Sequence, residues 1–299
     1  MTVDQISWVT LRSASLSAQV DPLGAQLSTL RDSEGRDLLW HGDPSVWAGR
    51  APVLFPIVGM LAGGSYRLDA KTFPLARHGF ARGKRFETLA ATPSNAAFRL
   101  RADDATLVVY PFQFELDVSF ALAGATLSVT AAVRNVGKEE MPASLGFHPG
   151  FRWPLPFGQA RTAHFIEFDA DEPAPIRRIT PEGLMSPAAH PTPIVNRRLA
   201  LTDALFRDDV IILDDVRSRS VRYGAESGPH IEIRFPDSQY LGIWTKPGAE
   251  LICIEPWQGV TDPAGFADDI VQKPGIFVVP PGAAHSLSME ITCNPGQTK

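Results

Sequence analysis

The sequence predicts an all-β chain folded as a large antiparallel β-sandwich, on three observations. Apolar and polar residues alternate with a period of two through most of the chain, and helical periodicity is scarce. Turn signals recur at roughly 8–12-residue spacing, as in sandwiches and barrels. The 26 prolines suit the loops and edges of such a fold and oppose a helical bundle.

Taken in order, the first strand candidate is Leu16–Val20, closed by the turn-like Asp21-Pro22-Leu23-Gly24. Ala25–Leu30 reads as its return strand. Asp37–Gly42 then leads into a proline- and aromatic-rich loop holding Trp47, Gly49-Arg50 and the apolar run Pro52–Ile57. The clearest pair follows. Phe112, Phe114, Leu116, Val118, Phe120 and Leu122 alternate with polar neighbours. After a turn at Gly124, Leu127, Val129, Ala131 and Val133 continue the pattern. One apolar face and one polar face predict an antiparallel sheet covering a core on one side. Residues 142–193 are proline-rich and irregular, and Leu201–Phe206 predicts one helical turn with Thr202 as its cap. Strand signals resume at Val210–Leu213, Ser220–Tyr223, Ile231–Phe235, Leu241–Trp244, Leu251–Glu255, Gly275–Val279 and Leu287–Ile291. No composition break or repeat divides the 299 residues, so a single domain over 1–299 is expected.

Bulk properties narrow the function. With 44% apolar and 20% charged residues the chain can build a substantial core. A net charge of −5 opposes general nucleic-acid binding. No basic segment precedes an apolar run at the start, and no apolar run reaches the 18 or so residues of a membrane helix. Two cysteines, Cys253 and Cys293, fit free thiols in a reducing compartment better than a disulfide scaffold, although a bridge between them is compatible with the sequence. The expected location is therefore the cytoplasm.

Leu251-Ile252-Cys253-Ile254-Glu255-Pro256-Trp257-Gln258-Gly259 concentrates the chemical interest. It reads as a buried strand ending in a carboxylate, with Leu251, Cys253 and Glu255 on one face and Ile252 and Ile254 on the other. An unpaired buried charge costs several kcal/mol, so Glu255 is either paired or engaged in proton chemistry. His148 lies between strand-like residues and a Pro/aromatic loop, where a strand end presents a side chain to a pocket. His78 sits in the basic, glycine-containing Arg77-His78-Gly79-Phe80-Ala81-Arg82, and Arg50 lies beside Gly49. Other site types lack their motifs. There is no phosphate-binding Gly-x-x-x-x-Gly-Lys loop, no Gly-x-Gly-x-x-Gly, no His-Glu-x-x-His and no Gly-x-Ser-x-Gly. The histidines are scattered singly and no cysteine has a close His or Cys spacing, so the sequence predicts no metal site.

Four segments in the same order resemble the aldose 1-epimerase (galactose mutarotase-like) family. They are Gly49-Arg50-Ala51-Pro52-Val53-Leu54-Phe55-Pro56-Ile57-Val58-Gly59, His78-Gly79-Phe80-Ala81-Arg82, Gly146-Phe147-His148-Pro149-Gly150-Phe151 and Cys253–Gly259. The branch they look most like is the LacX-like group, near the hexose-6-phosphate epimerases. The resemblance implies the family's β-supersandwich and interconversion of the α and β anomers of an aldose. It implies Glu255 as general base and His148 as general acid, with Arg50 and His78 contacting sugar hydroxyls. Asp209 is the matching choice for the family's acidic hydroxyl-binding residue. The galactose-specific branch has an Asn before the acid histidine and Tyr-Phe-Asn after it. Phe147 and Pro149-Gly150-Phe151 stand here instead, which argues against galactose as main substrate.

Such a reaction uses no cofactor, and the implied partner is a small sugar or sugar phosphate, handled by a monomer or homodimer. Trp257, with Phe151 or Trp153, is an aromatic candidate for stacking on a pyranose. Arg82, Lys84 and Arg85 are candidates for a phosphate. A non-catalytic carbohydrate-binding protein on the same fold is the competing reading. A glycosidase would need two carboxylates flanking the bond, and only one is evident.

Overall fold

The computed structural model describes residues 8–296; the start of the chain read above for a leader, residues 1–5, lies outside them. Strands dominate, and two sheets organise the rest. The larger has nine strands in the order Arg198–Ala200, Phe165–Phe168, Ser220–Gly224, His230–Arg234, Ala284–Asn294, Thr126–Asn135, Phe114–Ala123, Asn95–Arg101 and Glu87–Ala91. All its pairings are antiparallel. The smaller has six: Ile211–Leu213, Tyr240–Trp244, Leu251–Gln258, Leu145–Phe147 and Val53–Leu54 in order, with Gly150–Arg152 also paired to Leu251–Gln258.

The central hairpin of the large sheet follows directly from its pattern. Leu122 lies across from Leu127, Phe120 from Val129, Val118 from Ala131 and Leu116 from Val133. A one-residue slip would turn each of these pairs to the polar face, so burial fixes the register. The apolar set joins one continuous core with Ile252 and Ile254 of the small sheet, which stacks on Ala284–Asn294 of the large one. Each such side chain removed from water contributes about 1.5–3 kcal/mol.

The expected strands are present, with ends shifted by up to three residues, and Glu87–Ala91, Asn95–Arg101, Phe165–Phe168 and Arg198–Ala200 are strands the sequence reading did not name. Three differences have clear causes. A short helix, Asp104–Val109, is held by a reciprocal cap between Asp103 and Thr106 rather than by an apolar stripe, so periodicity did not show it. The turn Asp203–Phe206 forms, but the Thr202 side chain makes no capping bond; its backbone carbonyl accepts from Leu205 instead. The strand expected to end at Glu255 runs on to Gln258. Gln239 N–H donates to the Trp257 carbonyl, and Ile254 N–H to that of Pro149. Alternation therefore turns Pro256, which has no N–H, toward the interruption at His148-Pro149, where no ladder bond is lost. Cys253 and Cys293 sit in different sheets as free thiols. Among the described residues no helix is long and apolar enough to cross a membrane.

Candidate active site

Leu251–Gln258 is buried on both faces. Ile252 and Ile254 enter the main core, while Leu251, Cys253, Glu255 and Trp257 face the other way, as the period of two requires. Residues 145–152 form two short strands that pair with it in one common register. Gly146 lies across from Trp257 and Gly150 across from Cys253. His148, in the gap, therefore falls opposite Glu255, and its Nε2 lies 3.1 Å from Glu255 Oε2. Adjacent strands of one sheet, rather than the closure of two sheets on each other, bring these distant residues together.

Both members of the pair are withdrawn from solvent. Glu255 is 1% exposed. Its carboxyl is pushed well above the usual range, first by burial and then by the negative charge of Asp209. The Trp257 indole N–H opposes this slightly but forms no well-aligned hydrogen bond. Burial drives His148 down to about 3, with Arg82 and Arg77 adding to the effect. The pair thus favours its uncharged form, the proton resting on Glu255. Trp47 stacks on the His148 ring with centroids 4.8 Å apart, and Trp244 meets it edge-on at 6.3 Å.

Around the pair opens a pocket of ≈ 850 Å³, counted to its mouth. Glu255, His148, His78, Asp209, Arg82 and Trp257 all line it. His78 Nδ1 accepts a hydrogen bond from the Gly59 N–H, leaving the neutral ring to carry its proton on Nε2 as a donor. Its ring packs edge-on against His148, at 5.6 Å. Burial is the main cause that holds it neutral. His78 and Asp209 both occupy the left-handed region, at φ 64° each, a conformation that costs non-glycine residues about 1–2 kcal/mol. Trp257 fits because Gly146 lies across from it on one side and Gly242, diagonal to it on the other strand, leaves space under its ring. A Cβ on Gly242 would stand 2.3 Å from its ring, and one on Gly146 2.9 Å.

Arg50 corrects the sequence reading. Its Nη1 donates to the Ser28 carbonyl at 2.8 Å and its guanidinium covers Trp8, outside the pocket. Its side chain runs back beside Gly42, which has no Cβ to block it, and Trp47 takes the pocket wall instead. Phe151 and Trp153 are buried in the main core and offer no stacking surface. Of the expected phosphate candidates, Lys84 is paired with Asp103 and Arg85 is absent from the pocket lining, whereas Arg77 joins Arg82 there. Trp47, Trp244 and Arg77 had not been singled out. Trp244 had a usable signal, since it lies across from Cys253 on the strand next to Glu255; Trp47, in an irregular loop, had none.

Comparison with known proteins agrees with this architecture. The family described as aldose 1-epimerase matches residues 7–291. The plasmid-encoded protein LacX of Lactococcus lactis is 32% identical over 294 residues, covering 95% of this chain and 98% of its own. A galactose mutarotase related enzyme from Lactobacillus acidophilus superposes with a TM-score of 0.88 at 28% identity, covering 98% of this chain and 99% of its own. A galactose mutarotase-like protein from Lactobacillus casei gives 0.89 at 28%, covering 96% and 100%.

Proposed function

Since the chain belongs to the aldose 1-epimerase family and is an isomerase that interconverts the α and β anomers of an aldose, we propose that Glu255 and His148 carry its proton transfers. The observation that supports this most is their 3.1 Å contact at the floor of an open pocket. In the ionised form of the pair, Glu255 takes the proton of the anomeric hydroxyl while His148 gives one to the ring oxygen. The C1–O5 bond breaks, leaving the open-chain aldehyde with a neutral pair. After rotation about C1–C2, His148 takes the proton of the freed hydroxyl and Glu255 returns one to the carbonyl oxygen as the ring closes. One proton resides on the pair throughout, and each transfer contributes about 10²–10⁴-fold.

The surroundings support further roles. His78 donates to a sugar hydroxyl, Asp209 accepts from one, and Trp257 packs against the apolar face of the ring. Arg50 has no part in this. The two free thiols support the cytoplasm as compartment. A second substrate reading, a hexose 6-phosphate, is favoured by the two guanidinium groups of Arg77 and Arg82 on the same pocket.

The test is anomer exchange, by polarimetry or NMR, on freshly dissolved α-glucose, α-galactose, pentoses and hexose 6-phosphates. Acceleration is expected, reduced about 10²–10⁴-fold in Glu255→Gln and in His148→Ala. Saturable sugar binding without exchange would leave a carbohydrate-binding protein on the same fold. Exchange that survives Glu255→Gln would remove the proposed base.

A further inference from the structure

One buried residue beside the pair has no part in this chemistry. Cys253 lies two positions before Glu255 on the same face of the strand and is fully buried. One donor atom each from His148, Cys253 and Glu255 falls within 4.8 Å of the others. We propose that these three side chains form a binding site for a divalent metal ion of borderline-soft character, such as Zn²⁺, and that the bound ion switches the acid/base pair off.

The donor set suits such an ion. A thiolate, an imidazole and a carboxylate are the three ligand types zinc takes, and three protein ligands with one open position is the pattern of accessible zinc sites. The soft thiolate selects against Mg²⁺ and Ca²⁺, which prefer all-oxygen shells. The 3.1 Å between Nε2 and Oε2 is close to an edge of a tetrahedron with bonds of about 2.0–2.1 Å. Ionised Cys253 and Glu255 together supply two negative charges, so the occupied site is neutral, as a buried site requires. The fourth position faces the pocket, where water or a sugar hydroxyl can complete the shell.

Local packing keeps the sulfur close to the sheet, beside the Trp47 ring. Across the strand from Cys253 stands Gly150, which puts no side chain beside the sulfur; a Cβ there would lie 3.4 Å from Sγ. Metal binding at the thiol displaces its proton. His148 Nδ1 has no hydrogen-bond partner. Metal-bound histidines in tight sites are oriented by such a partner. Its lack here makes the site a reversible, inhibitory one rather than a permanent structural one. Because the ion binds the base and the acid at once, neither can transfer a proton while it is held.

The binding half of the proposal stands by itself; the inhibition rests on the assignment of Glu255 and His148 above. Co²⁺ titration of the full chain tests the first. One ion per chain should bind with a thiolate-to-cobalt charge-transfer band and be displaced by Zn²⁺. Cobalt binding without that band, or no binding of either metal at micromolar levels, overturns the site. Zn²⁺ titration of anomer exchange tests the second, with each protein referred to its own metal-free rate. Chelator-reversible inhibition should weaken in Cys253→Ala by more than the roughly 10–100-fold that loss of an outer-sphere partner costs. Equal inhibition of both proteins overturns the proposal. The charge-transfer band in a chain that exchanges no sugar would uphold the metal site while the catalytic reading fails.

Discussion

The nine-stranded and six-stranded sheets obey different rules. In the large sheet, Phe114–Ala123 and Thr126–Asn135 are regular, apolar on one face and lined with ion pairs such as Arg99–Asp117 on the other. In the small sheet the central strand is buried on both faces, carries a carboxylate and a proline, and pairs with a partner broken at His148-Pro149. Regularity builds the first; the second is organised around its exceptions. Stability and chemistry are thereby assigned to different sheets, and substitutions should separate them.

The largest stability effect belongs to the large sheet. Phe120→Ala should lower unfolding free energy by about 3–5 kcal/mol, through lost burial and the cavity left behind. Denaturant titration measures this, and the rate per folded molecule should be unchanged. A lost rate without lost stability would contradict the division. Gly242→Ala comes next. The added methyl meets the Trp257 ring, so a cost of about 1–3 kcal/mol is expected together with a raised KM. An unaltered KM would remove Trp257 from the sugar-binding surface.

The smallest effect has the opposite sign. The raised carboxyl of Glu255 means that the folded state holds its proton more tightly than the unfolded chain, whose ordinary value is 4.5. Its contribution is favourable below about that pH and is lost as pH rises. Glu255→Gln should therefore be more stable than the parent by about 1 kcal/mol at pH 8, with the gain vanishing near pH 4.5. His148 runs the other way. Depressed to about 3 from 6.5, it costs stability as pH falls between those values. Thermal melts across this range, on the parent and on Glu255→Gln, check the first sign. A variant less stable at pH 8 would show that Glu255 is a structural residue.

The same contrast explains what could be read from the sequence. Alternation and turn residues give five of the nine strands of the large sheet, including its central hairpin, because a solvated face forces a period of two; the shorter outer strands Glu87–Ala91, Asn95–Arg101, Phe165–Phe168 and Arg198–Ala200 were not read. A carboxylate after four apolar residues marks Glu255 as unusual, local context marked His148 and His78, the basic cluster offered Arg82, and the family resemblance supplied Asp209 and the roles; the fold gathers all of them into one pocket. Arg50 was misplaced because sequence order cannot tell which side of a loop a long side chain takes; the empty space beside Gly42 decides it. Trp47 was invisible for the same reason. The pairing of Cys253 with His148 was hidden because metal-ligand spacing rules describe neighbours in sequence, whereas this cluster spans adjacent strands.

The common register of residues 145–147 and 150–152 along Leu251–Gln258 has a consequence for how the protein can change. The spacing of Glu255 and His148 is set by main-chain pairing, like two marks on one ruler. Arg77, Arg82 and Asp209 come from connecting segments outside the strands. Insertions and substitutions in those segments can retune which sugar is accepted while the marks stay in place. Substrate range can therefore drift, in nature or in a directed-evolution experiment, without the reaction having to be reinvented.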